Sequence, residues 1–556
     1  MLQERVGTNS WYHRTVQDLF IETCERKPDK VAIVFNESET TYRKLRHQVN
    51  QLSQALLRLG IGKGDVVSTL PSPTPEFACL YFATLQVGAI VNPLNLLWGV
   101  LEFEGVLPRN NPKLIVTVDT YGGRDYIRLL KESMPDLEMR DGGVHAPSVP
   151  ALKHLVCLSR EGSRHEGFMD FADLMDSGAD YDAAELDRLA RAAEATDIQF
   201  ICQTSGTTGL SKSALWCHRP PLSTVHFGAK HLSFTEEERY ISLAPFYHNS
   251  GLFALNLNLA LAGTTLYLME RFDPQQAVSL IDRHACTATF GFDAHWQGMR
   301  QAPNFPGANF TICKALLAGE PKSYDLVTGM CPPDAKIINL YAQTENGPGV
   351  SLGEHDCMDY RIRKFTHGRP LSGVEVVIKD IDSGERVVPG QAGEICYRSP
   401  FMFSGYLKQE AETKASYDDE GYFHSGDYGS FDNGYITFLG RLGGVVKSGG
   451  ENVSTVRVSN LLIECLGKRV DDAKTVGIPD PYWGTRVVSF IRLSEGAGMP
   501  DQTVLRDACK GRMAAYEIPR NFLPWQGPWP MTPEGKIDFR ALQQTAEASL
   551  ADEVGR

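Results

Sequence analysis

The chain has 556 residues, too many for one hydrophobic core and enough for two or more domains. Apolar residues make up 42% and charged residues 22%, as in a folded globular protein, and 55 Lys+Arg against 68 Asp+Glu leave a formal charge of −13, which argues against a general nucleic-acid surface. The 12 cysteines include no Cys-x-x-Cys pair and read as small buried hydrophobes; with no signal-peptide core and no long apolar run, the expectation is a cytoplasmic enzyme without a membrane span.

In chain order, residues 15–60 predict a helix, a strand at Val31–Phe35 and a second helix. Leu45, Val49, Leu52, Leu56 and Leu59 recur there at helical spacing, and Gly60 ends the run. Strand-like Val66–Leu70, helix-like Glu76–Gln86, and strand-like Ala89–Asn92 and Leu114–Val118 follow. Residues 139–150, with Gly142, Gly143, Pro147 and Pro150, predict a surface loop. The alternation resumes with strands at Ile241–Ala244, Thr264–Leu268 and Thr287–Phe290 and helices at Leu252–Leu261 and Pro274–His284. Such alternation predicts parallel α/β layers. From Val374 to Phe438 the runs turn short and β-like, which predicts a smaller β subdomain. Gly443-Gly444 and Gly449-Gly450 then read as a hinge or active loop before a last region with its own helix and strand signals.

One stretch stands out chemically. The apolar run Ile198–Cys202 predicts a buried strand, and Gln203-Thr204-Ser205-Gly206-Thr207-Thr208-Gly209-Leu210-Ser211-Lys212-Ser213 follows it. Hydroxyls, two glycines that let several N–H groups converge, and one lysine suit a polyphosphate. The common P-loop needs glycine immediately before its Lys-Ser/Thr, and here Ser211 stands there. A solvated Ser/Gly/Thr turn is the alternative for this stretch taken alone.

The stretch from Thr204 to Lys212 resembles the signature of the adenylate-forming superfamily, with Ser211 and Ser213 where the family usually has proline and glycine. Further motifs resemble that family in order. Tyr341-Ala342-Gln343-Thr344-Glu345 is similar to its Tyr-Gly-x-Thr-Glu. Gly421 to Asp427 is similar to Gly-Trp-x-x-Thr-Gly-Asp, and Gly440-Arg441 to its Gly-Arg. Gly393-Glu394-Ile395 and Gly405-Tyr406 stand at its β-subdomain markers, and Pro530 to Ile537 resembles its last motif. The likeness covers essentially the whole chain.

The resemblance implies roles. Thr204, Ser205, Gly206, Thr207, Thr208 and Gly209 hold phosphates with Lys212; Thr344 meets the α-phosphate, and Glu345 is the metal ligand for Mg²⁺. Tyr341 flanks the adenine, with Gly319, Glu320 and Pro321 beside the nucleotide, and Asp427 and Arg441 reach the ribose. Lys536 is the catalytic lysine that bridges carboxylate and α-phosphate. The acyl pocket lies at Tyr247, His248, Gly251, Ala318, Ala342 and Gly347, where small residues suggest room for a bulky acid. His248 stands at a gate position, a packed core histidine being the alternative. No Asp lies in 245–251 to pair with a substrate ammonium, which favours an aryl or alkyl acid over an amino acid. Gly449 and Gly450 line the CoA channel, and Gly443 is the hinge. Arg457 replaces an expected acidic residue, so the nucleotide half of the site keeps the pattern better than the thiol half.

The implied architecture is α/β: a large N-terminal adenylation domain, 1–441, of α/β layers with a β subdomain about 368–441, and a small mobile α+β C-terminal domain, 442–556. The implied reaction takes a carboxylic acid and Mg-ATP to acyl-AMP and pyrophosphate, then forms a CoA thioester. Two alternatives stand beside it: an adenylating enzyme that passes acyl-AMP to a carrier protein or second enzyme, and a non-catalytic acyl or nucleotide sensor on this fold. An oligomer is compatible with all three.

Overall fold

The structure is a computed structural model and describes residues 9–70, 72–140, 143–204, 211–319, 321–347, 349–448, 451–480, 483–510, 513–514, 516–531 and 537–551. Two mostly parallel sheets dominate. In the nine-stranded sheet, Val31–Phe35, Thr265–Leu268, Arg239–Ser242, Ala288–Phe292, Lys314–Ala318 and Lys336–Tyr341 run parallel, and antiparallel strands close both edges. In the seven-stranded sheet the parallel run ends at Ile198–Gln203, which turns back as an antiparallel hairpin into Ser213–Cys217. The apolar runs read as strands are therefore central strands, buried on both faces.

Helix Pro75–Gln86 shows why the sheets hold together. Thr74 caps it, Pro75 starts it where no N–H is needed, and every residue from Phe77 to Gln86 is buried. A helix apolar all round belongs between layers. One core joins Ile33, Leu266 and Ala288 of the first sheet to Val67, Leu114 and Phe200 of the second.

Three expectations need correction. Residues 139–150 are not simply a loop: Glu138–Arg140 pairs with Gly143–His145, and Val144, Ala146 and Val149 are buried, because apolar side chains between the turn residues anchor the segment. The helix at Leu252–Leu261 is α only over Asn249–Leu255 and continues as a π-helix, Asn256–Ala262. Buried Asn258 there donates to the Ala254 carbonyl and accepts from the Thr264 hydroxyl. The Gly-dense segment after Arg441 is mostly a hairpin, Val445–Ser448 against Glu451–Ser454.

Glu375–Lys379, Ala392–Arg398, Phe423–Asp432 and Tyr435–Arg441 form a separate four-stranded antiparallel sheet. A five-stranded sheet carries most of the C-terminal region, with helices Thr455–Leu466, Gln502–Cys509 and Phe539–Ser549. Among the described residues no helix is long and apolar enough to cross a membrane.

Candidate active site

Strands Ile198–Gln203 and Ser213–Cys217 flank the phosphate-loop motif, and their register pairs Gln203 with Ser213. The Thr204 N–H donates to the Lys212 carbonyl at 2.9 Å, and the Ser211 hydroxyl donates to the Thr204 carbonyl, closing the loop at its neck. Ser205, Gly206, Thr207, Thr208 and Gly209 lie outside the described residues. Arg109, in the last turn of helix Val100–Asn110, reaches under the neck: its Nε donates to Ser213 Oγ at 3.1 Å and its Nη2 to the Ser211 carbonyl. Ser213 Oγ also lies 2.7 Å from Asn110 Oδ1 and 3.1 Å from Gln203 Oε1. The Gln203 amide donates to Asn92 Oδ1 at 3.0 Å.

Across from the neck stands the carboxylate read as the magnesium ligand. Strand Lys336–Tyr341 delivers the turn Thr344–Asn346, and the Thr344 carbonyl accepts from Trp216 Nε1 at 2.9 Å, tying this turn to the hairpin. Tyr406 donates its hydroxyl to Glu345 Oε1 at 2.7 Å, while Lys212 Nζ lies 4.5 Å from the centre of the Tyr406 ring. One aromatic side chain therefore places lysine and carboxylate around the same space. Glu345 Oε2 has no donor among the described residues. A half-exposed carboxylate oxygen beside a phosphate loop is the hard oxygen donor Mg²⁺ requires, so these residues fit the ion.

The carboxylate read as the ribose clamp is built as a buried network. Asp427 is 1% exposed, on strand Phe423–Asp432. Its Oδ2 accepts from the Tyr341 hydroxyl and from Gln343 Nε2, both at 2.6 Å, and Oδ1 pairs with Arg441 Nε at 2.9 Å. Tyr397 in turn donates to Gln343 Oε1 at 2.7 Å. Oδ1 has no well-aligned hydrogen-bond donor, which leaves an acceptor for a ligand hydroxyl. Burial pushes the Asp427 carboxyl up to about 6, against the opposing pull of Arg441. The Tyr341 ring is buried and stacks on Phe438, centroids 5.9 Å apart.

The acyl-pocket residues meet less simply. Tyr247 is half-buried against an apolar cluster, and Ala318 and Ala342 are half-buried beside the main core. His248 is exposed, which removes the packed-core alternative. It caps helix Asn249–Leu255, accepting the Ser250 N–H at Nδ1, and its ring meets Phe292 edge-on at 5.7 Å. The glycines do not leave the room expected of them. A Cβ on Gly251 would lie 2.4 Å from the Pro245 carbonyl oxygen, and one on Gly347, at φ +51°, 2.1 Å from Pro220 Cβ. A Cβ on Gly319 would meet Asp293 Oδ1 at 2.0 Å. These glycines allow close approach of neighbouring chain and add no pocket volume, which leaves Ala318 and Ala342 as the small side chains behind the expectation of a bulky acid.

Glu320 lies outside the described residues; Pro321 opens helix Pro321–Met330, and the next residue, Lys322, crosses to the C-terminal region. Lys322 Nζ donates to Asp472 Oδ1 at 2.8 Å. Asp472 also faces Lys474 at 3.2 Å and accepts from Trp529 Nε1 at 2.9 Å. Burial works to raise the Asp472 carboxyl, but Lys474, Lys322 and Trp529 hold it below the usual range. Trp529 directly precedes the Pro530–Ile537 motif; Lys536 lies outside the described residues, as do Gly449 and Gly450. Gly443 sits in a short 3₁₀ turn, Leu442–Gly444, with open space where a Cβ would go. Arg457 is tied to Glu517 by Nε–Oε1 at 2.8 Å.

Gln343, Tyr397, Trp216 and Arg109 are contact partners of the candidate site residues that motif reading passes over. Gln343 occupies the unspecified position of its motif, and the other three act on partners 54 or more residues away. The strand pattern gives a retrospective signal for Gln343, since Tyr341 and Gln343 share a period-2 spacing and both reach Asp427.

Comparison with known proteins follows the same lines. The family model described as AMP-binding enzyme matches residues 20–407. Medium-chain acyl-CoA ligase ACSF2, mitochondrial, of Danio rerio is 27% identical over 556 residues, covering 96% of this chain and 89% of its own. Feruloyl-CoA synthase of Amycolatopsis sp is 27% identical over 527 residues, covering 93% and 96%. Among solved structures, the anthranilate CoA ligase AuaEII in complex with anthranoyl-AMP shares the fold with a TM-score of 0.80 at 22% identity, over 97% of this chain and 98% of its own.

Proposed function

This chain belongs to the AMP-binding enzymes, as an adenylate-forming ligase close to the acyl-CoA synthetases, and from that premise we propose that it activates an aryl or alkyl carboxylic acid as acyl-AMP and transfers the acyl group to the thiol of CoA. The observation that carries the reading is the pairing of two sites. Glu345 and Lys212 meet around Tyr406 for the Mg-triphosphate end, and Asp427, held by Tyr341 and Gln343, faces the nucleoside end. A protein that only sensed an acyl group would need neither; one that only sensed a nucleotide would bind ATP without catalysing pyrophosphate exchange.

A carboxylate is a poor electrophile until AMP becomes its leaving group. Its oxygen attacks the α-phosphorus, the α–β bridging bond breaks, and pyrophosphate leaves with the electron pair. Bound Mg²⁺ would neutralise phosphate charge from Glu345. Lys212 attracts the departing pyrophosphate, and Thr344 meets the α-phosphate. Asp427 fixes the ribose so that attack is in line. Lys536 lends its charge to the crowded α-phosphate, which makes its contribution one of electrostatic stabilisation. Residues 1–441 would carry the binding sites, and 442–556 would move, bringing Gly449-Gly450 to the thiol in the second step.

The acid class rests on the lining. Tyr247, Phe292, Ala318 and Ala342 are apolar, and residues 245–251 offer no carboxylate for an ammonium. The medium-chain, feruloyl and anthranilate acids named for the similar proteins fall in that range. Acid-dependent exchange of labelled pyrophosphate into ATP, run over alkyl, aryl and amino acids, tests the reading. Exchange with alkyl or aryl acids is expected; exchange with amino acids alone, or none at all, overturns it. Following acyl-AMP and acyl-CoA together in the same tubes separates CoA ligation from hand-over to a partner.

A further inference from the structure

Arg109 lies outside every motif discussed for this site, yet it grips the phosphate-loop neck on both sides of Lys212. Its Nε donates to Ser213 Oγ at 3.1 Å and its Nη2 to the Ser211 carbonyl, so the guanidinium spans the residue before the lysine and the residue after it. Ser211 and Ser213 are also the two places where this chain departs from the adenylate-forming pattern of proline before the lysine and glycine after it. A proline fixes φ without help; a serine pair leaves the neck looser unless something holds it. Here a planar fork of donors does.

The charge matters as well. Arg109 is half-buried, burial lowers its pKa, and no carboxylate pairs with it among the described residues. Its position in the last turn of helix Val100–Asn110 places the cation by the negative helix end, which offsets part of the burial cost. An arginine left without an acid partner directly behind a loop for anions adds positive potential where the triphosphate sits.

We propose that Arg109 is a positioning residue for ATP binding, which fixes the Lys212 backbone through Ser211 and Ser213 and lends the loop a second positive charge. This rests on the ligase reading. It also gives the two serines a shared purpose: they replace the stiffness of the usual Pro-Lys-Gly sequence with a hydrogen-bonded clamp.

The test is a double-mutant cycle read by Mg-ATP affinity in calorimetry. Arg109→Met keeps the aliphatic stem and should weaken binding about tenfold, the loss of charge-assisted hydrogen bonds. Arg109→Lys, which keeps the charge without the fork, should recover part of it. In a Ser211→Pro/Ser213→Gly background, Arg109→Met should cost less than about threefold, because the neck no longer depends on the clamp. Unchanged affinity in Arg109→Met, or an equal cost in both backgrounds, overturns the proposal. Should Arg109→Met fail to fold, Ser213→Ala, which removes one clamp contact, must show a weaker version of the same affinity loss or the proposal falls. Wild-type protein that binds no Mg-ATP defeats the ligase reading instead, whereas wild-type binding with an indifferent Arg109 defeats only this inference.

Discussion

The Tyr406 hydroxyl donates to Glu345 at 2.7 Å while the Tyr406 ring carries the Lys212 ammonium at 4.5 Å. The segment holding Tyr406 is laid against the phosphate hairpin by main-chain bonds: Leu215 N–H to the Gly405 carbonyl at 2.9 Å and Leu407 N–H to the Ser213 carbonyl at 2.8 Å. The marker Gly405-Tyr406 thus packs against the candidate active site, although its chain position places it with the β subdomain.

Tyr406→Phe removes the donor and keeps the ring. Glu345 then loses the bond that orients it, and the Mg²⁺ concentration needed for half-maximal acyl-AMP formation should rise about three- to tenfold, less than the ~1.5–3 kcal/mol of a full hydrogen bond to a charged group because water can replace the hydroxyl at this half-buried carboxylate. Tyr406→Leu should add a loss of ATP affinity, since Lys212 loses its aromatic support. Magnesium titrations of both variants decide; identical curves for wild type and Tyr406→Phe would sever Tyr406 from the metal.

Asp427 predicts a pH dependence. Burial pushes its carboxyl up to about 6, and only the ionised form keeps Oδ1 as a proton-free acceptor for a ribose hydroxyl. Nucleoside affinity should therefore be full above about pH 7 and fall as pH drops through 6. Adenosine is the proper probe, because its ribose end does not titrate there. Arg441 pulls this pKa down, so Arg441→Ala should move the acid limb to higher pH, and Asp427→Asn should flatten it. A limb that stays put in Asp427→Asn belongs to another group.

Much of this is legible in the sequence, and the reasons are local. Leu114–Val118 and Pro274–His284 follow from an apolar run and from a Pro-started, Asp273-capped helix. Helix Arg219–His231 is hidden by Pro220-Pro221, which suggest a break but occupy the first turn, where their missing N–H groups cost nothing. In the site, Glu345 stands at fixed offsets from Tyr341 and Thr344, and Asp427 from Gly421 and Gly426, so motifs find them. Arg109 acts on Ser213 across 104 residues and Tyr397 on Gln343 across 54; only the fold creates those contacts.

The Lys322–Asp472 bridge joins the segment read as the nucleotide's neighbour to the strand that also holds Trp529, just ahead of the Lys536 motif. Lys322→Ala should slow acyl-AMP formation about three- to tenfold while leaving transfer from supplied acyl-AMP to CoA within about twofold, the outcome expected if the bridge sets the C-terminal region for the first step only. Lys322→Arg should recover part of the rate. Equal slowing of both steps would mean that the bridge merely stabilises the fold.

Lys536→Ala should lower kcat for acyl-AMP formation by two or more orders of magnitude with ATP affinity changed little, since the charge is needed as the α-phosphate becomes crowded. Pyrophosphate exchange within a few-fold of wild type would take this lysine out of the mechanism.

The acceptor is the last prediction. Where the family hinge usually holds Asp or Lys, Gly443-Gly444 stand here, and with Arg457 they make the case for an enzyme that adenylates well and transfers poorly. The geometry weakens that case. Arg457 is occupied by Glu517, a carboxylate only 6% exposed, which makes it a brace within the C-terminal region. Gly443 has no positive φ and no close neighbour, so a glycine there adds freedom without answering a steric demand. Two such glycines cost about 0.5–1 kcal/mol each in ordering, about tenfold in population together, which slows a domain movement without blocking it. Single-turnover mixing of enzyme-bound acyl-AMP with CoA should therefore give acyl-CoA faster than the adenylate hydrolyses. Adenylate that persists with CoA and disappears only when a carrier protein or second enzyme is added would establish the split reaction.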